Sequence, residues 1–107
     1  MDKRRKERLE KAGWVFESVA EFLKLTPEEE ALIEMKLALA EDLENRRKLK
    51  GLTQAALAKR LETSQSRVAK MESADASVSL DLLIRALLAL GATPKALART
   101  VGAKRAA

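Results

Sequence analysis

The second half of the chain is divided into short segments by a repeated pattern of helix-capping residues. Hydroxyl side chains stand at positions 53, 64, 79 and 93, and apolar residues at helical spacing follow each of them. Ser and Thr are favoured helix N-caps because the side-chain oxygen accepts a hydrogen bond from the first turn. Glycines at 51 and 91 stand where the preceding helices are expected to end. Since no segment alternates cleanly between apolar and polar residues, the chain is predicted to be all-α, with short connections.

One longer helix is predicted before these segments. Thr26 suits the N-cap, Pro27 the first helical position, and Glu29 completes a capping box. This helix is expected to run to Lys50, with acidic residues near its beginning and basic residues near its end, as the helix dipole favours. Two apolar strips follow it: Leu32, Met35, Leu39 and Leu43 on one face, and Ile33 and Leu37 on a second strip that needs a further partner surface.

The predicted organisation is a five-helix domain with an N-terminal helical extension. Residues 1–25 form the extension, a basic leader followed by a short aromatic amphipathic helix. Residues 26–101 form the main domain, and residues 102–107 form a flexible tail.

The composition excludes several kinds of site. Without cysteine or histidine, the chain has no disulfide, no thiolate metal site and no histidine general base. It also has no Gly-rich phosphate loop, so we expect no cofactor and no metal, and an enzyme is disfavoured. No apolar run approaches the length needed to span a bilayer, which excludes a membrane-spanning role and favours a cytoplasmic protein.

The net charge of +5 is distributed unevenly along the chain. Residues 1–16 carry six basic and three acidic side chains, and residues 17–44 carry two basic and nine acidic ones. Residues 45–107 carry thirteen basic and four acidic side chains. The basic C-terminal part suggests a polyanionic partner, although a solvated basic surface would carry the same charge.

Two neighbouring helical segments have helix-turn-helix form. They read QAALAKRL and QSRVAKMES, with ETS between them. Leu57 and Leu61 of the first segment are expected to face Val68 and Met71 of the second, with Ala58 where the two backbones approach closely. The side chains that then point outward are Gln65, Ser66, Ala69 and Lys70, with Thr63, Ser64 and Arg67 beside them.

The stretch LTQAALAKRLETSQSRVAKMES, followed by SLDLLIRALLALGA, resembles the phage-repressor/Cro-type helix-turn-helix family, also called xenobiotic-response-element-type regulators. The resemblance covers about residues 39–101. It implies a Cro-like fold that binds double-stranded DNA. The matching positions are Thr53, Gln54, Ala58, Ser64, Gln65, Val68 and Glu72.

The resemblance implies a role for each matched position. Base contacts are expected from Gln65, Ser66 and Lys70, and small Ala69 suits a thymine methyl group. Contacts to the DNA backbone are expected from Gln54, Thr63, Ser64 and Arg67, and the charge of Arg60 is expected to add a further backbone contact. Arg47 and Glu72 match a pair that forms an internal ion pair in the family. Glu62 departs from the family, which usually has glycine in the turn, so we expect strain or a positive φ there.

All three aromatic residues lie near the N-terminus: Trp14, Phe16 and Phe22. They are interpreted either as packing against Ile33 and Leu37 or as a partner or dimer interface. The leader before the motif is similar to that of small HigA-type antitoxins, whose partners are basic ribonuclease-like toxins. The basic residues 3–8 are interpreted as a solvated tail, with a DNA-gripping arm as the alternative.

The sequence therefore predicts a homodimeric DNA-binding regulator that recognises a palindromic operator, and an autorepressing antitoxin in particular. Two alternatives remain open at this point. One is a stand-alone repressor without a toxin partner, and the other is a protein-interaction module whose DNA binding is secondary.

Overall fold

The computed structural model describes residues 3–11 and 25–103, and every regular element in these two ranges is an α-helix. The prediction of an all-α fold is confirmed, with five helices in the main domain and one in the described part of the extension, residues 3–11. The helices are α1 (Lys3–Lys11), α2 (Pro27–Leu49), α3 (Gln54–Arg60), α4 (Gln65–Glu72), α5 (Leu80–Ala89) and α6 (Pro94–Gly102).

Each helix from α2 to α6 begins at a predicted hydroxyl cap. The cap oxygen accepts a hydrogen bond from the backbone N–H three residues later, at 3.0–3.1 Å in all five helices. In α2 the hydroxyl of Thr26 also donates to the Glu29 carboxylate. The five caps are Thr26, Thr53, Ser64, Ser79 and Thr93.

Helices α2 to α5 all end in the same way, with a residue in the left-handed conformation. Gly51 and Gly91 hold two of these positions, whereas Glu62 and Ala74 hold the other two, at φ values of 58° and 57°. In each case the next N–H bonds to the carbonyl five residues earlier, which is the Schellman arrangement. These endings keep the connections short and fix the direction in which each following helix begins.

The middle of α2 forms the centre of the domain. Residues 36–40 are buried on every side of the helix, and α4, α5 and α6 all pack against α2. Two alanines in this stretch, Ala38 and Ala40, let neighbouring backbones approach. The predicted second strip of Ile33 and Leu37 is buried in the same core.

The predicted stripe that begins at Leu32 is only partly internal. Leu39 and Leu43 are fully buried, but Leu32 is 47% exposed and Met35 is half-buried. Leu32 lies near the beginning of α2, outside the stretch that the other helices surround. The helical spacing of apolar residues therefore predicted a longer buried face for α2 than the structure has.

Lys36 is the one basic residue inside this core among the described residues. Burial lowers the pKa of Lys36, and its Nζ donates to the carbonyl of Ala76 at 3.4 Å. Asp75 favours the charged form of this lysine. The contact links the centre of α2 to the loop after α4.

Helix α6 is attached to α2 by a polar contact. The hydroxyl of Thr100 donates to Asp42 Oδ2 at 2.9 Å, and Arg46 donates to the other oxygen of the same carboxylate at 2.9 Å. Leu97 packs into the common core beside this contact. The result is a rigid support of α2, α5 and α6 behind the pair α3 and α4.

Among the described contacts of helix α1 with this domain are a buried leucine and an ion pair. Leu9 is 1% exposed and belongs to the same hydrophobic core. Arg8 Nη1 lies 3.1 Å from Glu41 Oε1 on α2. Leu9 is therefore part of the core, whereas the choice between a solvated tail and a DNA-gripping arm for residues 3–8 stays a prediction.

Candidate nucleic-acid interface

Helices α3 and α4 form the helix-turn-helix that the sequence predicts. Leu57 on α3 and Val68 and Met71 on α4 are fully buried, Leu61 is half-buried and packs against them, and Ala58 is buried. Because these apolar residues face inward, one side of α4 is held against the core and its other side is left toward solvent.

The outward side of α4 carries the residues predicted to read bases. Gln65, Ser66 and Lys70 are exposed, and Ala69 between them is half-buried. Gln can pair with adenine, Lys can donate to guanine, and a hydroxyl can serve either base. The structure thus brings these four residues together on one face, and their base contacts stay a prediction.

The residues around the beginning of α4 are also exposed. Thr63, Ser64 and Arg67 lie there, and Arg60 lies at the end of α3. The Ser64 oxygen accepts from the Arg67 N–H at 3.1 Å, so the Ser64 hydroxyl proton remains as a donor for a phosphate oxygen. These groups have the exposure and the hydrogen-bonding capacity that contacts to a DNA backbone require.

The turn between α3 and α4 contains the predicted irregularity. Glu62 has a φ of 58°, in the region that favours glycine, and the Thr63 N–H donates to the Ala58 carbonyl at 2.8 Å. The expectation of a positive φ is confirmed. Glu62 is exposed, as are Arg60 and Thr63 on the two sides of it in the sequence.

Behind the exposed face, Arg47 and Glu72 form the predicted internal ion pair. Arg47 Nε lies 2.5 Å from Glu72 Oε2 and Nη2 lies 3.0 Å from Oε1, so the contact is bidentate. The hydrogen bond to Glu72 raises the pKa of Arg47 above its ordinary value, although burial alone would lower it. The pair joins the end of α2 to the end of α4.

Two further groups complete this network, and the sequence reasoning did not find them there. Arg47 Nη1 donates to the Leu52 carbonyl at 2.8 Å, and Gln54 Nε2 donates to Glu72 Oε1 at 3.1 Å. No local sequence signal connects residues 54 and 72, because the contact depends on how α3 crosses α4. The same Gln54 nitrogen carries a second N–H, which is left to donate to a phosphate oxygen as predicted.

Two clefts flank the motif. One has a volume of about 460 Å³ and lies between α1, α2 and α4. The other has a volume of about 370 Å³, lies between α4 and α5, and includes Arg60, Arg67 and Arg85 in its lining. Basic side chains therefore stand on both sides of the exposed face of α4.

Within residues 3–11 and 25–103, no group of three or more acidic side chains is placed to hold a metal ion. In the same ranges no helix is long and apolar enough to cross a membrane. Trp14, Phe16 and Phe22, the predicted partner or dimer interface, lie outside the described residues.

A family model described as "Helix-turn-helix" matches residues 43–97, just over half of the chain. The chain belongs to the Cro/C1-type helix-turn-helix family. Comparisons with curated proteins and with solved structures found no match. As a member of this DNA-binding family, the protein is a transcriptional regulator whose motif helices are α3 and α4.

The matched range begins within α2 and ends within α6, so it covers the ion pair, the motif and its support. It leaves out α1 and the first two thirds of α2, residues 27–42. The resemblance to HigA-type antitoxins rests on that uncovered part, and the family match does not extend to it.

Proposed function

We propose that the protein is a sequence-specific repressor that binds a palindromic operator as a homodimer, with α4 of each subunit in the major groove. In this proposal Gln65, Ser66 and Lys70 contact base edges and Ala69 contacts a thymine methyl group. The observation that carries the proposal is the division of α4 into two sides. Val68, Met71 and Glu72 are buried, whereas the proposed readers are at the surface.

The proposed backbone contacts surround this face. Thr63, Ser64 and Arg67 are exposed at the beginning of α4, and Arg60 and Gln54 lie at the two ends of α3. Contacts of this kind fix the register of a protein on the duplex without reading its sequence. A fixed register is what would allow the short side chains of Ser66 and Ala69 to reach defined base pairs.

Selection from a pool of randomised duplexes tests this function. We expect an enriched sequence made of two inverted half-sites whose centres are about 34 Å apart, or a multiple of that distance. Sedimentation of the complex should give two protein chains per duplex. A pool that enriches no sequence would contradict sequence-specific binding, and a single half-site with one chain would contradict the dimer.

We further propose that the protein is an antitoxin that binds a basic ribonuclease-like toxin through the acidic first half of α2. Glu28 and Glu29 are exposed there, and Leu32 adds a half-exposed apolar side chain to the same part of the helix. Residues 17–44 as a whole carry nine acidic and two basic side chains. Complementary charge of this kind steers and orients a basic partner.

Co-expression with a small basic protein encoded beside this gene tests the antitoxin role. Because Leu9 is buried in the core, removing residues 1–25 would disturb the domain, and point substitutions are the better choice. Leu32→Asp, Trp14→Ala and Phe22→Ala should weaken capture of the toxin while leaving operator binding intact. If the wild-type chain does not capture the protein encoded beside its gene, the antitoxin role is contradicted and the protein acts as a stand-alone repressor.

A further inference from the structure

The cleft between α1 and the motif combines residues from distant parts of the chain. Its volume is about 460 Å³, and one wall comes from the end of α1 while the rest of the lining comes from α2, α3 and α4. The lining from α4 includes Ala69, one of the proposed base contacts, so the cleft lies directly beside the face of α4 that would enter the groove. The lining includes Arg8, Lys11, Lys48, Gln54 and Ala69.

Helix α1 is held at this place by specific contacts. It is a strongly polar helix with the sequence KRRKERLEK, yet its only leucine is 1% exposed. Arg8 is in addition paired with Glu41 on α2 at 3.1 Å. A basic segment that served only as a solvated surface would need neither contact, whereas a segment that must present charge at a fixed position needs both.

The charges that line the cleft are mostly positive. Four basic side chains and two acidic ones contribute to it. Glu72 is paired with Arg47, Glu44 with Lys48 at 2.7 Å, and Arg8 with Glu41 at 3.1 Å, so three of the four cations are already in ion pairs. Lys11, at the end of α1, has no acidic partner among the described residues and is exposed at the cleft.

We propose that this cleft binds a backbone phosphate of the DNA that flanks the base-read segment, so that α1 extends the footprint of the motif. Lys11 and Arg8 approach the phosphate from one wall, and the second N–H of the Gln54 amide approaches it from the other. The inference rests on the proposed function, because it assumes that α4 lies in the major groove. It assigns to the basic extension a role that the motif itself does not supply.

Titration of the selected operator by Lys11→Gln, at rising salt, tests the proposal. Each phosphate contact contributes about 0.9 to the slope of log K against log of the salt concentration. Because the homodimer carries Lys11 twice, we expect the slope for Lys11→Gln to be smaller than that of the wild type by about 2, with a similar loss of affinity on unrelated DNA. The variant Lys11→Glu should lose more affinity, because it places a negative charge at the same site.

Trimming the operator gives a second readout. Wild-type protein should lose affinity when the duplex is shortened to the two half-sites alone, whereas Lys11→Gln should lose clearly less affinity on the same trimming, because only Arg8 and Gln54 still contact the phosphate. Lys95→Gln is the matched control, since Lys95 is an exposed lysine at the beginning of α6 that lines neither cleft. This control should behave as the wild type in both experiments.

The outcomes separate this inference from the function on which it rests. If the wild type binds its operator and Gln65→Ala weakens that binding, but Lys11→Gln has the wild-type slope and the wild-type response to trimming, only the role of α1 is overturned. If the wild type selects no operator at all, the proposed function fails and this inference fails with it.

Discussion

Arg47 on α2 and Glu72 on α4 form a bidentate ion pair in which both side chains are almost withdrawn from solvent, with exposures of 11% and 3%. The same carboxylate accepts from Gln54, and the same guanidinium donates to the Leu52 carbonyl. One contact therefore fixes the ends of α2 and α4, the loop between α2 and α3, and the beginning of α3. It sets the position of α4 relative to the rest of the domain.

Replacing Arg47 alone should be severely destabilising. Arg47→Met leaves the Glu72 carboxylate buried without its cation, and we expect the free energy of unfolding to fall by about 3–5 kcal/mol in urea denaturation. Lys48→Ala, which removes the exposed pair with Glu44, is the control and should cost less than about 1 kcal/mol.

The double variant Arg47→Met with Glu72→Leu should recover part of the loss, since no unpaired charge remains in the core. Equal destabilisation by the single and double variants would show that the uncompensated charge is not the cause.

Glu62→Gly should stabilise the protein. A non-glycine residue in the left-handed conformation costs about 1–2 kcal/mol, and glycine removes most of that cost while adding entropy to the unfolded chain. We expect a net gain of up to about 1 kcal/mol in chemical denaturation. Glu62→Gln keeps the backbone strain and is the control for the lost charge.

Ala74→Gly is an informative comparison, because Ala74 has the same φ but its methyl group is completely buried. Its gain from relieved strain should be offset by the lost packing. A gain at position 74 as large as that at position 62 would contradict this account of the two turns.

Ser64 and Ser79 allow the structural and the binding roles of a cap to be separated. Each accepts from the N–H three residues later at 3.1 Å, so Ser64→Ala and Ser79→Ala should each cost about 1 kcal/mol of stability. Only Ser64 lies at the proposed DNA interface. In DNA titrations under conditions where both variants are folded, Ser64→Ala should bind DNA more weakly than Ser79→Ala. Equal affinities of the two variants would show that Ser64 does not contact the DNA.

Asp75 should make stability depend on pH in the acidic range. Hydrogen bonds from the Ser77 hydroxyl and backbone N–H hold the pKa of Asp75 below its ordinary value. Since the folded state has the lower pKa, this contribution is fully present above about pH 3.9, the ordinary pKa of aspartate, and is lost as the pH falls through the folded value.

Ser77→Ala should therefore lower stability at neutral pH and flatten the stability profile below about pH 4. Thermal unfolding of both proteins across this range is the measurement. Parallel profiles for the wild type and Ser77→Ala would contradict the assignment.

Local features of the fold could be predicted from the sequence. The caps at Thr26, Thr53 and Ser64 each determine a helix start, because the interaction involves only residues three positions apart. The helix-turn-helix followed from the spacing of Leu57, Val68 and Met71, and the Arg47–Glu72 pair from the family pattern.

The remaining features depend on how the helices are arranged in space. The burial of Leu9 and its membership of the core could not be read from a segment with so few apolar residues. The contacts of Gln54 with Glu72, and of Thr100 with Asp42, join residues whose separation along the chain carries no local signal. For the same reason, the cleft beside Lys11 emerged only from the packed structure.

The most direct test of the central claim is the affinity of Gln65→Ala for the selected operator and for an unrelated duplex at one salt concentration. If α4 reads bases through Gln65, the variant should lose about 1–3 kcal/mol of binding free energy on the operator and almost none on the unrelated duplex. Arg67→Ala, as the control for a backbone contact, should weaken both to a similar degree. An unchanged ratio between operator and unrelated DNA for Gln65→Ala would contradict base readout by this residue.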